Sequence, residues 1–551
     1  MDEPRAVCDR LEEMRNVRRP SEALWAELAE VARPLRSEFG RVQAGASQGG
    51  SRTRELLDGT GVQAAEALAS ALFTGSTNPA EEWLRIGLLD TDLERWGPAK
   101  RWLETAGLAT FNSFGPNFSR FYTQMVQVDA DTAIFGNGVM FQAESRGAQG
   151  FIDLARPLAE CFYEIDAEEQ IPVFYREYTL SASAAARQWG LDALPKKIAE
   201  DAKERPTQTH RFIHAVYAND ALKPGAIGPA GKAFVSHYVA GDENATIARP
   251  NGFDEMPYGL SPWARASGET YARGPAEVAL PEMQLLQAME YSNMRVAQQA
   301  SDPAMGGPDE GDFDVLRMAP GSYTPGIVDH QGRMLVKPIY EGKNLPVALE
   351  FTEQKRQAVR EAFYASMLYF ASGSAAKTAT EWLGLNEEKL SRLAPYLINK
   401  QAILLPAYVQ RRFNLLVRAG QIPPPPPELR GKRLQARFDS PFSRAAKAGR
   451  GNAVLRWYEG MGMIAQVTGD LGVFDRANVD QAGLVLADAW GVPASIVESD
   501  DMVAEKRRAR AEQQRMQQMM AAAQPLAAAA QQGAQAVATL QGAGGQQGGG
   551  R

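Results

Sequence analysis

The sequence predicts a mainly helical protein with a small antiparallel β unit, an α+β fold. Over most of the 551 residues the apolar side chains recur every three or four positions, the period of an amphipathic helix. Between residues 138 and 240 the period shortens towards two, and β-branched and aromatic residues become frequent, as in strands. Between residues 302 and 345 glycine and proline exclude a continued helix, which predicts a lobe built from loops.

The N-terminal part is predicted to be helical apart from one loop. Pro20 interrupts the apolar stripe of the first helix, and residues 40–51, rich in Gly, Ser, Ala and Gln, form the predicted flexible loop. Helices are expected at residues 6–35, 60–73, 96–118 and 122–134. The apolar side chains assigned to them are Leu11, Met14, Leu24, Leu28, Val31, Val62, Ala65, Leu68, Ala69, Leu72, Trp102, Leu103, Leu108, Phe111, Met125 and Val128.

The β unit follows these helices. Two short helices, at residues 183–189 and 196–203, interrupt its strands. The strands are expected at residues 139–143, 161–165, 173–180, 209–218 and 234–240.

Residues 276–370 are predicted to form a hairpin of two long helices around the loop-built lobe. Gly274 and Pro275 are a start signal for the first helix, at residues 276–300. The apolar stripes of the two helices are Met283, Leu286, Met289, Met294 and Ala297, then Val359, Phe363, Met367 and Phe370.

The C-terminal part is again helical. A long helical stretch, residues 381–418, ends before five consecutive prolines at 423–427, which predict a stiff, extended connector. Residues 542–550 carry too few apolar groups to pack and are expected to be disordered. Further helices are expected at residues 454–468, 479–490 and 501–523.

Composition limits the class of function. The formal net charge is −7, whereas a simple nucleic-acid-binding protein carries a strong positive excess. Cys8 and Cys161 lie far apart without a CxxC pattern, so neither a disulfide framework nor a zinc site is indicated. No charged-then-apolar leader opens the chain, and no apolar run approaches the ~20 residues of a membrane span. A protein made and kept in the cytoplasm, without a membrane partner, is expected.

No motif predicts a cofactor or metal site. The GxGxxA at residues 59–64 opens a helix, but a charged segment precedes it and no βαβ unit follows, so nucleotide binding is not predicted. GxxxxGK[ST] is absent, which argues against ATP hydrolysis by this chain. His210 and His214 lie in a predicted strand without an evident third ligand, so structural roles are expected for them.

No catalytic constellation is predicted either. The chain has no GxSxG elbow and no nucleophilic cysteine motif, and four histidines in all could serve as bases. Closely spaced carboxylates are predicted to be helix caps or solvated loop residues, namely Asp90, Asp92, Asp129 and Asp131.

Several short runs follow one another in order along the chain. They are SRTRELLD at 51–58 leading to Trp83 and Leu84, FDEMPY at 253–258, GETYARGPA at 268–276, LPEM at 280–283 and TATE at 378–381. In this order and spacing they resemble the head-to-tail connector, or portal, proteins of short-tailed bacteriophages. One departure is Ala272, where that family would have a glycine, and it affects only the local turn.

The resemblance implies a dodecameric ring with a central channel at one vertex of the capsid. DNA would enter through it during packaging and leave at infection. The implied partners are other copies of the chain, the terminase large subunit, a tail adaptor protein, the major capsid and scaffolding proteins, and double-stranded DNA that passes non-specifically. The implied location is the virion, after assembly in the host cytoplasm, and no cofactor is implied. A ring also explains the wide apolar content of the first hairpin helix, because a helix with neighbours on both sides needs more than one buried stripe.

The family architecture also implies domain boundaries. Residues 1–270 would form the wing, 271–301 the first stem helix, 302–345 the clip, 346–371 the second stem helix, 372–380 the channel loop, 381–440 the returning wing helix, 441–523 the crown, and 524–551 a disordered low-complexity tail.

Two sets of functional residues follow from this assignment. Residues 372–377 are either a turn between helices or a loop that projects into the channel. The implied DNA-channel residues are Lys377, Ser372, Ser374, Arg356 and Arg360. The implied clip residues that dock the terminase are Asp309, Glu310, Asp312, Arg317 and Arg333.

Two alternatives remain open from the sequence. One is a monomeric α+β enzyme whose site has no recognisable motif. The other is a different ring-forming virion component, such as a tail adaptor.

Overall fold

A computed structural model describes the protein at residues 3–36, 39, 56–90, 93–94, 96–145, 150–247, 250–307, 327–339, 345–365, 392–439, 441–490, 492, 496–498 and 502–518. The predicted loop at 40–51, the predicted channel loop at 372–380 and the stretch at 542–550 lie outside these residues. The chain forms two compact units, Met1–Leu84 with Ala109–Gln421 and Phe438–Ala445, and Arg85–Leu108 with Ile422–Arg437 and Ala446–Arg551.

The first unit opens with three long helices. α1 is Pro4–Ala32, α2 is Thr60–Ser76, and α4 is Phe121–Phe135. α3, Gly97–Ser113, belongs largely to the second unit. These bounds confirm the predicted helices, but α1 continues through Pro20. Side chains on both sides of Pro20 are buried, and their packing keeps the helix continuous across the proline. They are Leu11, Met14, Trp25 and Leu28.

Two antiparallel sheets form the β unit. The larger has the order β4-β5-β6-β7-β8, with β9 also paired to β7, and the smaller has the order β10-β2-β3. The strands are β2 Asn137–Glu144, β3 Phe151–Arg156, β4 Cys161–Glu164, β5 Val173–Ser181, β6 Thr209–Ala218, β7 Phe234–Ala240, β8 Ala245–Thr246, β9 Asn251–Phe253 and β10 Tyr258–Pro262. The short helices α5, Ala182–Trp189, and α6, Lys196–Glu204, lie between β5 and β6 as predicted.

Alternation along β6 separates two cores. Ile213, Ala215 and Tyr217 pack with Val7 and Leu11 of α1. Phe212, on the opposite face, packs in the cluster that contains residues of α5 and α6. The sheet is therefore covered on both faces.

The hairpin consists of α7, Pro275–Ser301, and α8, Leu345–Ala362. The first predicted arm is confirmed. The second helix was predicted to span residues 346–371. α8 ends at Ala362, and Tyr364 adopts a positive φ of 56°, which interrupts a helix. Residues 366–371 lie outside the described residues. Between the helices the two-residue strands β11, Met305–Gly306, and β12, Lys337–Pro338, pair with each other.

After the hairpin, residues 392–399 are helical and continue through a π-helical turn, Lys400–Leu404, into α9, Leu405–Arg418. The second unit holds most of β1, Leu84–Leu88, which pairs with β13, Leu434–Phe438. It also holds most of α10, Pro441–Thr468, all of α11, Val479–Ala489, and a helix at 502–518. α10 begins well before the predicted residue 454. The sequence did not predict β1, β3 or β8–β13.

Two further observations bear on the predictions. Leu108, one of the apolar side chains assigned to this helix, is 47% exposed in α3. Within the part of the chain that the structure describes, no helix is long and apolar enough to cross a membrane.

Candidate functional site

The hairpin leaves the body of the first unit at a tight backbone contact. Gly274 precedes α7, and a Cβ there would lie 2.8 Å from the backbone nitrogen of Gly136. Gly136 has a φ of +73° at the C-terminus of α4. Asn137 joins the two segments, because its side chain donates to Ala272 O at 2.8 Å and accepts from Ala272 N at 2.9 Å. The GETYARGPA segment therefore attaches the first hairpin helix to the body, and we call residues 268–276 the mount.

Polar pairs join α7 to α8 along the seam between them. Asn293 Nδ2 donates to Thr352 Oγ1 at 3.0 Å, and Thr352 is fully buried. Nearer the body, Lys355 Nζ lies 3.0 Å from Glu282 Oε2. The Asn293–Thr352 pair is buried and the Lys355–Glu282 pair is partly exposed. A buried polar pair fixes the register of two helices rather than supplying most of their stability.

Several large apolar side chains of the hairpin, in contrast, are exposed. Met283 and Leu286 are buried as predicted, but Met294 is exposed. The exposed large apolar residues of the two helices are Val278, Leu285, Tyr291, Met294, Leu349 and Phe351. Val278 and Leu285 are seven positions apart and so lie on one face of α7. Both side chains are exposed to solvent in the single subunit, 77% and 40%.

Arg356 of α8 is surrounded by carboxylates. Its Nε lies 2.8 Å from Asp58 Oδ2, its Nη1 lies 3.3 Å from Glu353 Oε2, and its Nη2 is hydrogen-bonded to Glu290. Burial alone would raise the pKa of Asp58, but hydrogen bonds from Arg356 and from Thr60 outweigh it, and the pKa lies below its usual range. The guanidinium proposed to face DNA thus forms ion pairs inside the subunit.

The ion pair of Arg360 is more exposed than the pair between Arg356 and Asp58. Its Nη1 pairs with Glu353 Oε1 at 2.8 Å, and that carboxylate is 57% exposed. A pair at the surface is screened and weak, so it can exchange for a phosphate more readily than the contacts of Arg356 can.

Gln287 of α7 binds the segment that precedes α2. Its Oε1 accepts from Leu57 N at 2.9 Å and from Asp58 N at 3.1 Å, and its Nε2 donates to Asp58 O at 2.7 Å. Beside it, a Cβ on Gly61 would lie 2.5 Å from the sulfur of Met283. The glycine of the GxGxxA run therefore permits close packing of α2 on α7, and no strand precedes it within the described residues.

Of the clip residues, Arg333 alone lies within the described residues. Its Nε pairs with Asp329 Oδ2 at 2.9 Å, and its side chain is 72% exposed. Asp309, Glu310, Asp312 and Arg317 lie outside the described residues, as do Lys377, Ser372 and Ser374.

The prediction that Asp129 and Asp131 are caps or solvated residues is wrong. Both lie inside α4 and are buried. Lys400 Nζ lies 2.7 and 2.9 Å from the two carboxylate oxygens of Asp129, and Arg33 Nε lies 2.8 Å from Asp131 Oδ1. Burial raises the pKa of Asp129 against the opposing effect of Lys400, and burial lowers the pKa of Lys400.

Asp90, by contrast, accepts a hydrogen bond from Leu93 N at 3.2 Å, as a cap does, and Asp92 lies outside the described residues.

A second buried charge, Arg412, was also missed by sequence reasoning. Its guanidinium is hydrogen-bonded to Asp153 and lies over the rings of Phe114 and Phe151, 4.6 and 3.9 Å from their centroids. Tyr408 donates a hydrogen bond to the same carboxylate. These contacts join α9 to β3. No local sequence pattern indicates them, because the partners are far apart along the chain.

His214 and His210 are hydrogen-bonded or paired with neighbouring side chains, which is consistent with structural roles. His214 is buried, with Nδ1 2.7 Å from Tyr258 Oη and Nε2 3.0 Å from Ser236 Oγ. His210 Nε2 lies 3.1 Å from Asp201 Oδ2. Among the described residues no three His, Cys, Asp or Glu side chains are grouped so that they could hold a metal ion.

Comparisons with known proteins agree with this arrangement. The family described as "Bacteriophage head to tail connecting protein" matches residues 5–497. The portal protein of Salmonella phage epsilon15 is 24% identical over 510 residues, which cover 91% of this chain and 90% of that protein. The probable portal protein of Bordetella phage BPP-1 is 25% identical over 513 residues, with the same coverages.

Among solved structures, a chain in the virion of a native gene transfer agent particle has 13% identity and a TM-score of 0.36, with 83% of this chain and 97% of that one covered. The family match extends over both units and includes the hairpin, its mount and the polar seam. The chain therefore belongs to the bacteriophage head-to-tail connecting proteins, which are structural components of the virion at the junction of head and tail.

Proposed function

We propose that this chain is the subunit of a dodecameric portal ring, and that double-stranded DNA is packaged and ejected through the channel of the ring. In this proposal the hairpin is the stem, residues 302–345 are the clip that docks the terminase and later the tail adaptor, and residues 441–523 are the crown. Residues 1–270 and 381–440 form the wing. The ring sits at one capsid vertex, among the major capsid and scaffolding proteins, after assembly in the host cytoplasm.

The observation that carries this proposal is the distribution of polarity on the hairpin. Asn293, Thr352 and Lys355 face the seam between α7 and α8, whereas Val278 and Leu285 face outward. A hairpin that functioned alone would place its apolar residues in the seam and its charges outside. Contact with hairpins of neighbouring subunits would bury the outer residues, and a closed ring supplies such a neighbour on each side.

The net charge of the chain supports a channel through which DNA slides rather than a protein that binds DNA tightly. The formal net charge of −7 disfavours strong phosphate binding, which suits DNA that has to slide. We assign guidance of the DNA to Lys377, with Ser372 and Ser374 beside it and Arg360 on the stem. Repeated by symmetry, Lys377 forms a ring of positive charge that meets some phosphate in any register. Energy for packaging comes from a partner motor, because the chain has no phosphate loop.

Assembly is tested by placing a charge on the outer face of the hairpin. Leu285→Glu is expected to prevent ring formation, because each contact between subunits would bury an unpaired carboxylate. The matched control is Leu191→Glu, since Leu191 is similarly exposed, 41% against 40%, but lies in the β unit. Native mass spectrometry and negative-stain images measure the assembly. Closed rings from Leu285→Glu, as abundant as those from the control, would remove the hairpin face from the interface.

The role of Lys377 is tested in assembled particles. We expect Lys377→Ala to leave ring assembly and melting temperature unchanged but to alter the DNA content of the particles, and Lys377→Glu to reduce the DNA content further. Normal DNA content with Lys377→Glu would show that this lysine does not face the channel.

A further inference from the structure

The segment 56–60 is bonded to both helices of the hairpin. Gln287 of α7 binds the backbone of Leu57 and Asp58 through three hydrogen bonds, and Arg356 of α8 binds the Asp58 carboxylate at 2.8 Å. The same carboxylate accepts from Thr60 N at 2.9 Å, which orders the start of α2. These contacts are far apart in sequence, so they attach the hairpin to the chain that precedes α2.

Among the residues that the structure describes, the charges at this attachment do not balance. Asp58, Glu290 and Glu353 place three carboxylates around the single guanidinium of Arg356, and Arg360 offsets Glu353 alone. Glu290 and Glu353 belong to the hairpin itself, whereas Asp58 belongs to the body. Like charges repel, so the two hairpin carboxylates weaken the hold of Arg356 on Asp58.

We propose that Asp58, Gln287 and Arg356 form a releasable latch between the body and the hairpin. When the latch opens, Arg356 keeps Glu290 and Glu353, so no cation is left unpaired. Asp58, for its part, keeps the hydrogen bond from Thr60 and gains water. A buried pair with one carboxylate would instead lose its whole partner on opening, which is costly. The extra carboxylates thus lower the cost of separating Arg356 from Asp58.

Hydrogen exchange of the Leu57 and Asp58 amides reports the latch directly, because Gln287 accepts from both. The experiment uses the full chain, with exchange followed by mass spectrometry on the peptide that covers residues 56–62. Asp58→Asn is expected to speed exchange about threefold to tenfold, the range for loss of a partly buried pair. Lys355→Gln is the matched control, since it removes a pair between α7 and α8 that does not touch the segment. It should leave this exchange unchanged.

The deciding variant is Glu290→Gln with Glu353→Gln. If the latch is releasable, the double variant slows exchange at residues 57 and 58 by about threefold or more, because Arg356 then depends on Asp58. A purely structural network predicts the opposite, since loss of any member would loosen it. Faster or unchanged exchange would therefore overturn the proposal. Glu353→Gln alone, at an exposed position, gives the same comparison with little effect on folding.

Discussion

The buried pair of Asp129 and Lys400 offers a quantitative test of how the first unit is held together. Lys400 is 3% exposed and Asp129 is fully buried, and the two lie on elements separated by 271 residues. Lys400→Met leaves an uncompensated carboxylate in the core, so we expect a loss of about 3–5 kcal/mol in the free energy of unfolding. Asp129→Leu should cost a similar amount, because it strands the ammonium group instead.

The double variant distinguishes this reasoning from a simple loss of packing. Lys400→Met with Asp129→Leu removes both charges, so its stability should return to within about 1–2 kcal/mol of the original protein. Lys506→Met is the control, since its pair with Glu498 is about half exposed and contributes about 0–1 kcal/mol. Urea unfolding followed by tryptophan fluorescence measures the four variants and the original protein. Strictly additive losses in the double variant would refute the argument from uncompensated charge.

Two further predictions concern the body. Gly136→Ala should destabilise the protein by about 3 kcal/mol more than Gly420→Ala. Both glycines have positive φ, but of the two only Gly136 would place the new methyl against backbone atoms, at 2.5 Å. Equal melting temperatures for the two variants would contradict this. Burial lowers the pKa of His214 well below 6.5, so its contribution to stability is present above about pH 6.5 and is lost as the pH falls. His214→Gln should therefore flatten the decline in stability between about pH 7 and 5, and an unchanged decline would count against that assignment.

Local pattern was sufficient for much of the fold. The β5 and β6 strands were predicted because their β-branched and aromatic residues are continuous, and α7 because an apolar stripe follows a Gly-Pro start signal. β10 was missed because its sequence, YGLSP, contains glycine, serine and proline, and its pairing with β2 supplies what local propensity does not. Strand formation there is decided by tertiary contacts.

The candidate site was predicted less completely, and the reason is distance along the chain. Arg356 was assigned to the channel from the family resemblance, whereas its partner Asp58 lies 298 residues earlier. No periodicity reports a partner so remote, and the buried pairs of Asp129 and Arg412 were missed for the same reason. The family resemblance, by contrast, depends on ordered short runs, which a sequence preserves directly.

Both ends of the hairpin are fixed in one core, which has a consequence for how such a protein can change in length. Ala276 at the start of α7 and Phe363 just after α8 belong to the same buried cluster. The body therefore specifies where the helices leave and return but not how far they extend. Inserting seven residues into each helix would lengthen the hairpin by about 10 Å while keeping every side chain on its original face. Insertions and deletions matched between the two helices should be tolerated here, and a relative could reach a partner at a different distance without any change in the body that carries the hairpin.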